Sequence, residues 1–274
     1  MQRRPLTAAT TPYSAMDEPR RSAATCNLET ALAQPKQPSG QCLLRLNRDL
    51  KNIIDNPVPG IYVEPEKGDV TYVHTVIIGP DNTPCQGGLF HFVLKFPLGY
   101  PDRPPQVRFM TTDGGRVRFN RKLYSSGLVS LRIPGTFHGP SWNPEMTLKT
   151  MVVSIQSSLI EQPLDNEPAL GREFKTWLQK TISCNAKLRF QTIKVAVCDA
   201  LEACLLGKSL YPQDLQIAVM KHFVKQYDKY ESVAFSLLGE DSSEEESKQY
   251  AVLFERLQDL HDRILQNSPT MRKM

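Results

Sequence analysis

The chain has no run of about 18 consecutive apolar residues, so no membrane span is expected. No apolar h-region follows its N-terminus, which predicts that there is no secretory signal. Arg3, Arg4, Arg20 and Arg21 would suit a transit peptide, but Asp17, Glu18 and five prolines up to position 38 argue against one. No basic run or stripe stands out and the net charge is only +4, so nucleic acid is not an expected partner. There is no C-x-x-C and no histidine at zinc-ligand spacing, so no metal or other cofactor is expected. The six cysteines, at 26, 42, 85, 184, 198 and 204, are scattered. They read as reduced thiols of a cytoplasmic or nuclear protein.

What is present is an ordinary globular composition, 40% apolar and 23% charged over 274 residues. Residues 1–38 are rich in Thr, Ala, Pro and Arg and show no sustained period, which predicts a disordered tail. From Gln41 the pattern turns helical. Leu43, Leu46, Leu50 and Ile53 recur at spacings of three and four, with Arg45, Arg48 and Lys51 on the other side. Asn56-Pro57 and Pro59-Gly60 stop the helix. Strands are expected at Ile61–Pro65, Val70–Ile78, Leu89–Phe96 and Gln106–Met110. Their alternation, with aromatic and β-branched residues, predicts half-buried strands. Turn chemistry at Gly79–Pro84 favours antiparallel neighbours.

Thr147 is a candidate N-cap for a stripe of Leu148, Met151, Val152, Ile155 and Leu159 that stops at Pro163. Beyond Pro168 the chain reads as all-helical. Phe174, Trp177 and Leu178 mark one helix; Ile193, Val197, Leu201 and Cys204 a second, ending at Gly207. Val219, Phe223, Tyr227 and Tyr230 mark a third. Ser243-x-x-Glu246 fits a capping box before Tyr250, Leu253, Leu257, Leu260 and Ile264. The expected class is α+β, an antiparallel four-stranded sheet with flanking helices and a C-terminal helical extension.

The segment Val117–Pro144, with Phe92–Met110 before it, resembles the active-site region of ubiquitin-conjugating (E2) enzymes. That family usually shows an aromatic residue, His-Pro-Asn, a Tyr, an Asn-Gly turn and the nucleophilic Cys, then a loop closing on Trp-Ser-Pro. The frame recurs here as Phe119, Tyr124, Gly127, Leu131, Trp142 and Pro144. The nucleophile position holds Ser130, and His-Pro-Asn is replaced by Asn120-Arg121-Lys122. The resemblance runs from about Gln41 to Asn267. Thr192–Asp199, Gly79-Pro80, Gly87-Gly88, Met110–Thr112, Ser154–Ser157 and Asn166–Pro168 match the Z-type branch of the family, which has a C-terminal helical extension and already carries Asn at the position of Asn120. It implies a conjugating core over 41–195 and an extension over 196–267. It implies as partners ubiquitin or a ubiquitin-like modifier, an activating enzyme and a ubiquitin ligase.

The resemblance also assigns residues. A thiol suits E2 chemistry because the thiolate attacks well and leaves well. Ser130 fails on both counts unless a base such as His138 approaches it. It reads as a bland loop serine, a trap that forms a stable oxyester, or a slow acyl carrier. Lys122 takes the place of the Asn that stabilises the oxyanion, and loss of such a donor typically costs about 10²–10³ in rate. Glu167 matches the acidic gate, and is otherwise a surface charge before a proline. Arg45, Arg48 and Lys51 lie where the activating enzyme docks, and are otherwise a solvated face. Asp102 and Glu145 stand where the ligase-binding surface has apolar residues, with Asn143 in place of Ser, which predicts weakened ligase docking. Cys85 and the other cysteines lie too far from the motif in sequence to be nominated as replacements. The expectation is a paralogue that no longer catalyses transfer and acts as adapter or competitor. An active transferase and a helical scaffold without modifier binding are the alternatives.

Overall fold

The computed structural model describes residues 38–120, 122–130, 142–160, 183–239 and 242–267. The expected tail and the helix marked by Phe174, Trp177 and Leu178 lie outside them. Helix α1, Gly40–Asp55, is capped by the Ser39 side chain, which accepts the Cys42 N–H at 3.1 Å. Its buried face is Cys42, Leu46, Asp49, Leu50 and Ile53. An aspartate on that face was not legible in the apolar stripe; Asp49 accepts from Arg45 and from Tyr100.

Strands β1 (Ile61–Glu66), β2 (Asp69–Ile78), β3 (Leu89–Lys95) and β4 (Gln106–Phe109) form one antiparallel sheet in sequence order. Register pairs Val73 with Leu94, Thr75 with Phe92 and Ile77 with Phe90. Paired residues share a face, so this face carries Val73, Ile77, Phe90, Phe92 and Leu94. It packs against α1 and against α2, Leu148–Ile160, through Leu46, Ile53, Met151, Val152 and Ile155. The strands were expected to be half-buried, but Val76 and Leu89 on the other face are also fully buried, under the C-terminal helices. Alternation reports which residues share a face, but not whether a distant helix covers it.

The turn between β2 and β3 explains two of its glycines. Gly79 N–H donates to Gly88 O, and Gly87 N–H to Gly79 O, both at 2.9 Å. A Cβ on Gly79 would lie 1.7 Å from the Cys85 carbonyl oxygen, and one on Gly88 would lie 2.7 Å from the Phe90 ring. Only glycine allows so close an approach.

Helix α3 spans residues 183–205, with a wide π-helical stretch at Thr192–Asp199. The Thr192 hydroxyl lies 2.8 Å from Leu188 O, one turn back, and 3.1 Å from Pro84 O in the β2–β3 turn. Val195 and Ala196 belong to the first core, while Ile193, Val197 and Leu201 belong to a second. The expected division at 195/196 therefore falls inside a helix that serves both cores.

The third expected C-terminal helix is two. Helix α4, Gln213–Lys225, ends at Gln226, whose φ −111° and ψ 16° leave the helical range, and α5 runs over Tyr227–Leu238. The break keeps Phe223 in the second core and lets the Tyr230 hydroxyl reach Gly87 O at 2.8 Å. Helix α6, Glu244–Asn267, opens on the expected capping box. Ser243 N–H donates to Glu246 Oε2 at 3.1 Å, and Glu246 N–H donates to Ser243 Oγ at 3.3 Å. Arg256 ties α6 to α3 through Glu202, at 2.7 and 2.8 Å, and Asp199, at 2.6 Å. That guanidinium holds the Glu202 carboxyl below its ordinary range.

Candidate active site

Residues 120 and 122–130 belong to a small hairpin pinned to the sheet on one side and to α2 on the other. Leu123 bridges Val129, and both are buried. Tyr124 N–H donates to Leu128 O, and Gly127 N–H to Tyr124 O, each at 2.9 Å. Gly127 has φ +85°, and Phe109 N–H donates to its carbonyl at 2.9 Å, which fixes the tip to β4. Phe119 packs at 5.1 Å from Phe90 and 6.3 Å from Phe109 at the base.

Within this frame Lys122 and Ser130 face each other. Ser130 N–H donates to Lys122 O at 2.7 Å, and both residues are partly buried. Asn120 sits beneath them, only 7% exposed. Its Oδ1 accepts the Lys122 N–H at 2.9 Å, and its Nδ2 donates to Ser158 O on α2 at 3.5 Å. Arg118 donates to Asn120 O at 3.1 Å and lays its guanidinium 4.4 Å from the Tyr124 ring centroid. Glu167, His138 and Arg121 lie outside the described residues.

Two loops meet beside α1. Trp142 Nε1–H donates to Pro101 O, and its ring lies 6.1 Å from that of Tyr100. Asp102, Asn143 and Glu145 are thus brought to one exposed edge, where Asn143 Oδ1 accepts the Glu145 N–H at 3.0 Å. Arg45 corrects the expectation for α1. It is turned inward, 3.1 Å from Asp49 Oδ2 and donating to Met146 O at 2.9 Å, with Tyr100 OH donating to the same carboxylate. Burial and the Asp49 charge push the Tyr100 phenol upward. Arg48 and Lys51 alone of the three are exposed.

The cysteines divide by burial. Cys42, Cys85, Cys198 and Cys204 are buried, and burial pushes the Cys85 and Cys198 thiols up to about 12. Cys184, at the start of α3, is exposed. It lines a groove of about 390 Å³ with Val117, Arg118 and Asn120. Distance in sequence was the reason for not nominating Cys184 as a replacement nucleophile, and it is no guide to distance from the hairpin base. No group of three or more His, Cys, Asp or Glu arranged to hold a metal occurs among the described residues. None of their helices is long and apolar enough to cross a membrane.

The ubiquitin-conjugating enzyme family model matches residues 45–192, more than half of the chain and all of the hairpin. This chain belongs to the ubiquitin-conjugating enzyme family. "Ubiquitin-conjugating enzyme E2 Z" of Xenopus tropicalis is 39% identical over 237 residues, covering 84% of this chain and 74% of that one. The Homo sapiens protein of the same name is 42% identical over 191 residues, covering 70% of this chain and 52% of its own. That of Danio rerio is 40% identical over 198 residues, covering 72% and 58%. The chain thus spans about half the length of the human relative. The four-stranded antiparallel sheet with flanking helices is the family's fold, and the chain is an E2-like protein of the ubiquitin pathway.

For a ubiquitin-conjugating family member, the arrangement has specific chemical limits. A serine hydroxyl needs a base to become a nucleophile. An ammonium at Lys122 is a flexible point donor rather than a fixed amide. The sequence reading missed the roles of Asn120 and Arg118. Alternation along Val117–Asn120 carried the signal, since it sends Val117 and Phe119 inward and Arg118 outward onto Tyr124.

Proposed function

We propose that this protein is a catalytically impaired conjugating-type member that binds ubiquitin or a ubiquitin-like modifier together with an activating enzyme, and acts as adapter or competitor in the cytoplasm and nucleus. The observation that carries the reading is a hairpin whose backbone pairing is kept, with Ser130 N–H donating to Lys122 O at 2.7 Å, while its residues at the nucleophile and oxyanion positions are Ser130 and Lys122. Two groups unsuited to thioester transfer occupy adjacent places while the scaffold beneath them is intact. Drift that had also erased binding would be expected to loosen that scaffold. Arg48 and Lys51, exposed on α1, are the activating-enzyme contacts in this reading, and Arg45 holds the helix in place. Asp102, Asn143 and Glu145 make ordinary ligase docking weak, because an apolar partner would strip water from unpaired carboxylates. Glu167 keeps the gate assignment from the resemblance.

The test is competition. The protein is titrated into a charging reaction containing an activating enzyme, ATP, modifier and an active conjugating enzyme. A competitor slows charging of the active enzyme in proportion to its concentration, and the Arg48→Glu, Lys51→Glu double variant relieves the effect. No slowing, together with no retention of activating enzyme or modifier in a pull-down, would leave only the scaffold reading. An active transferase remains a second reading because Cys184 is exposed beside Asn120. Loss of a reductant-sensitive adduct in Cys184→Ala would establish it.

A further inference from the structure

The sheet face under the C-terminal helices carries two buried histidines. Pairing sets His74 opposite Val93 and His91 opposite Val76, so the imidazoles are diagonal neighbours. Their rings stack with centroids 5.2 Å apart, and His74 Nδ1 lies 3.0 Å from His91 Nε2. His74 Nε2 lies 2.8 Å from Glu66 Oε2. With both rings neutral, one proton assignment satisfies all three groups. His74 Nε2–H donates to Glu66, His74 Nδ1 accepts, and His91 Nε2–H donates to it. A single added proton leaves one hydrogen between the rings, on one nitrogen or the other; a second, filling both His74 Nδ1 and His91 Nε2, would set two N–H donors against each other across 3.0 Å.

The cover over this pair comes from the helical part. The Tyr211 ring stands edge-on to His91 with centroids 4.7 Å apart. Tyr211 leads into α4, which packs on β1, where the Tyr62 hydroxyl shares a hydrogen bond of 3.0 Å with His222 Nδ1. The sheet supplies only Val76 and Leu89 to the buried part of the second core, and the rest comes from α3 to α6 and Tyr211. Among the described residues, the segment Tyr211–Lys225 lends that core Tyr211, Leu215, Val219 and Phe223, so most of the core can persist when the segment opens.

We propose that the His74–His91 pair is an acid-sensitive latch, holding the segment from Tyr211 to Lys225 on the sheet face while neutral and releasing it as protons reach the imidazoles.

Burial pushes both rings down, His91 to about 3, and for His74 this outweighs the favourable pull of Glu66. His222, at the same seam, is also pushed down by burial. The other charges facing the pair are of both signs. Glu64 lies opposite His74 on β1, and is raised by burial and by Asp214 of α4. Asp113, Asp199 and Lys208 line one cavity with His91 and Tyr211. The sign follows from the two states. In the closed state the rings are held neutral; once opened they regain an ordinary value of about 6.5. Closure is therefore fully favoured above that value and is lost as pH falls from there toward about 3.

Hydrogen exchange of the full chain, at pH 7.5 and pH 5.0 and normalised for intrinsic rates, tests the latch. The opening ratio for residues 211–225 should rise about 30-fold between these pH values from His91 alone, while α2 amides stay constant. His91→Phe keeps an aromatic ring against Tyr211 and cannot be protonated. His91→Gln is the second variant, because it retains an N–H donor toward His74. In whichever folds, the rise should shrink at least several-fold. A rise absent from the natural protein, one shared equally by α2, or one unchanged in the folded variant would overturn the proposal.

Discussion

Asn120 has a side-chain amide with an acceptor and a donor, and both are spent on backbone groups. The acceptor orients Lys122 and the donor holds α2, so the residue builds the hairpin before any chemistry is considered. Asn120→Ala would leave the Lys122 N–H and the Ser158 carbonyl without these partners, and should lower stability by about 1–3 kcal/mol, read from the urea midpoint at unchanged slope. Asp49 acts similarly under α1. It is 2% exposed, and it accepts from both Arg45 and Tyr100. Asp49→Ala strands a guanidinium that is itself mostly covered, for which a loss of about 3 kcal/mol is expected in the same measurement. Asp49→Asn, which keeps an acceptor for Tyr100, should lose clearly less.

The elements show which signals travel in sequence and which do not. Periodicity located α1, all four strands, α2 and α6 to within a residue or two, because each has one strongly apolar face. The capping box at Ser243 and Glu246 was legible because its two partners are three residues apart. Ser243→Ala should destabilise α6 by about 1 kcal/mol and speed exchange of its first-turn amides, with the last turn unaffected. The break at Gln226 was not legible, since Phe223, Tyr227 and Tyr230 keep helical spacing across it. What breaks the helix is tertiary: Tyr230 bonds Gly87 more than a hundred positions away, and Tyr227 stacks on His261 at 3.8 Å. Arg45 was misplaced for the same reason. Helical phase put it on the outer side, but Met146 O and Asp49 draw it inward. In the site, the hairpin residues were legible through the resemblance to the E2 motif, whereas the approach of Cys184 depends on where α3 lies.

At the scale of the whole molecule, the two cores share one sheet and one helix, and they place the conjugating-type hairpin and the helical extension on different sides of the fold. Ser130 lies in the part built around the first core, so loss of the nucleophile need not disturb the other. The proposed impairment rests on that separation, a scaffold and partner surfaces kept with Ser130 at the place of the acyl-carrying thiol. A charging reaction with ATP, activating enzyme and modifier, run on the natural protein and on Ser130→Cys side by side, tests it most directly. The expected result is no reductant-sensitive adduct on the natural protein and a clear one on Ser130→Cys. A reductant-sensitive adduct on the natural protein would contradict it, and so would a folded Ser130→Cys variant that no activating enzyme can charge.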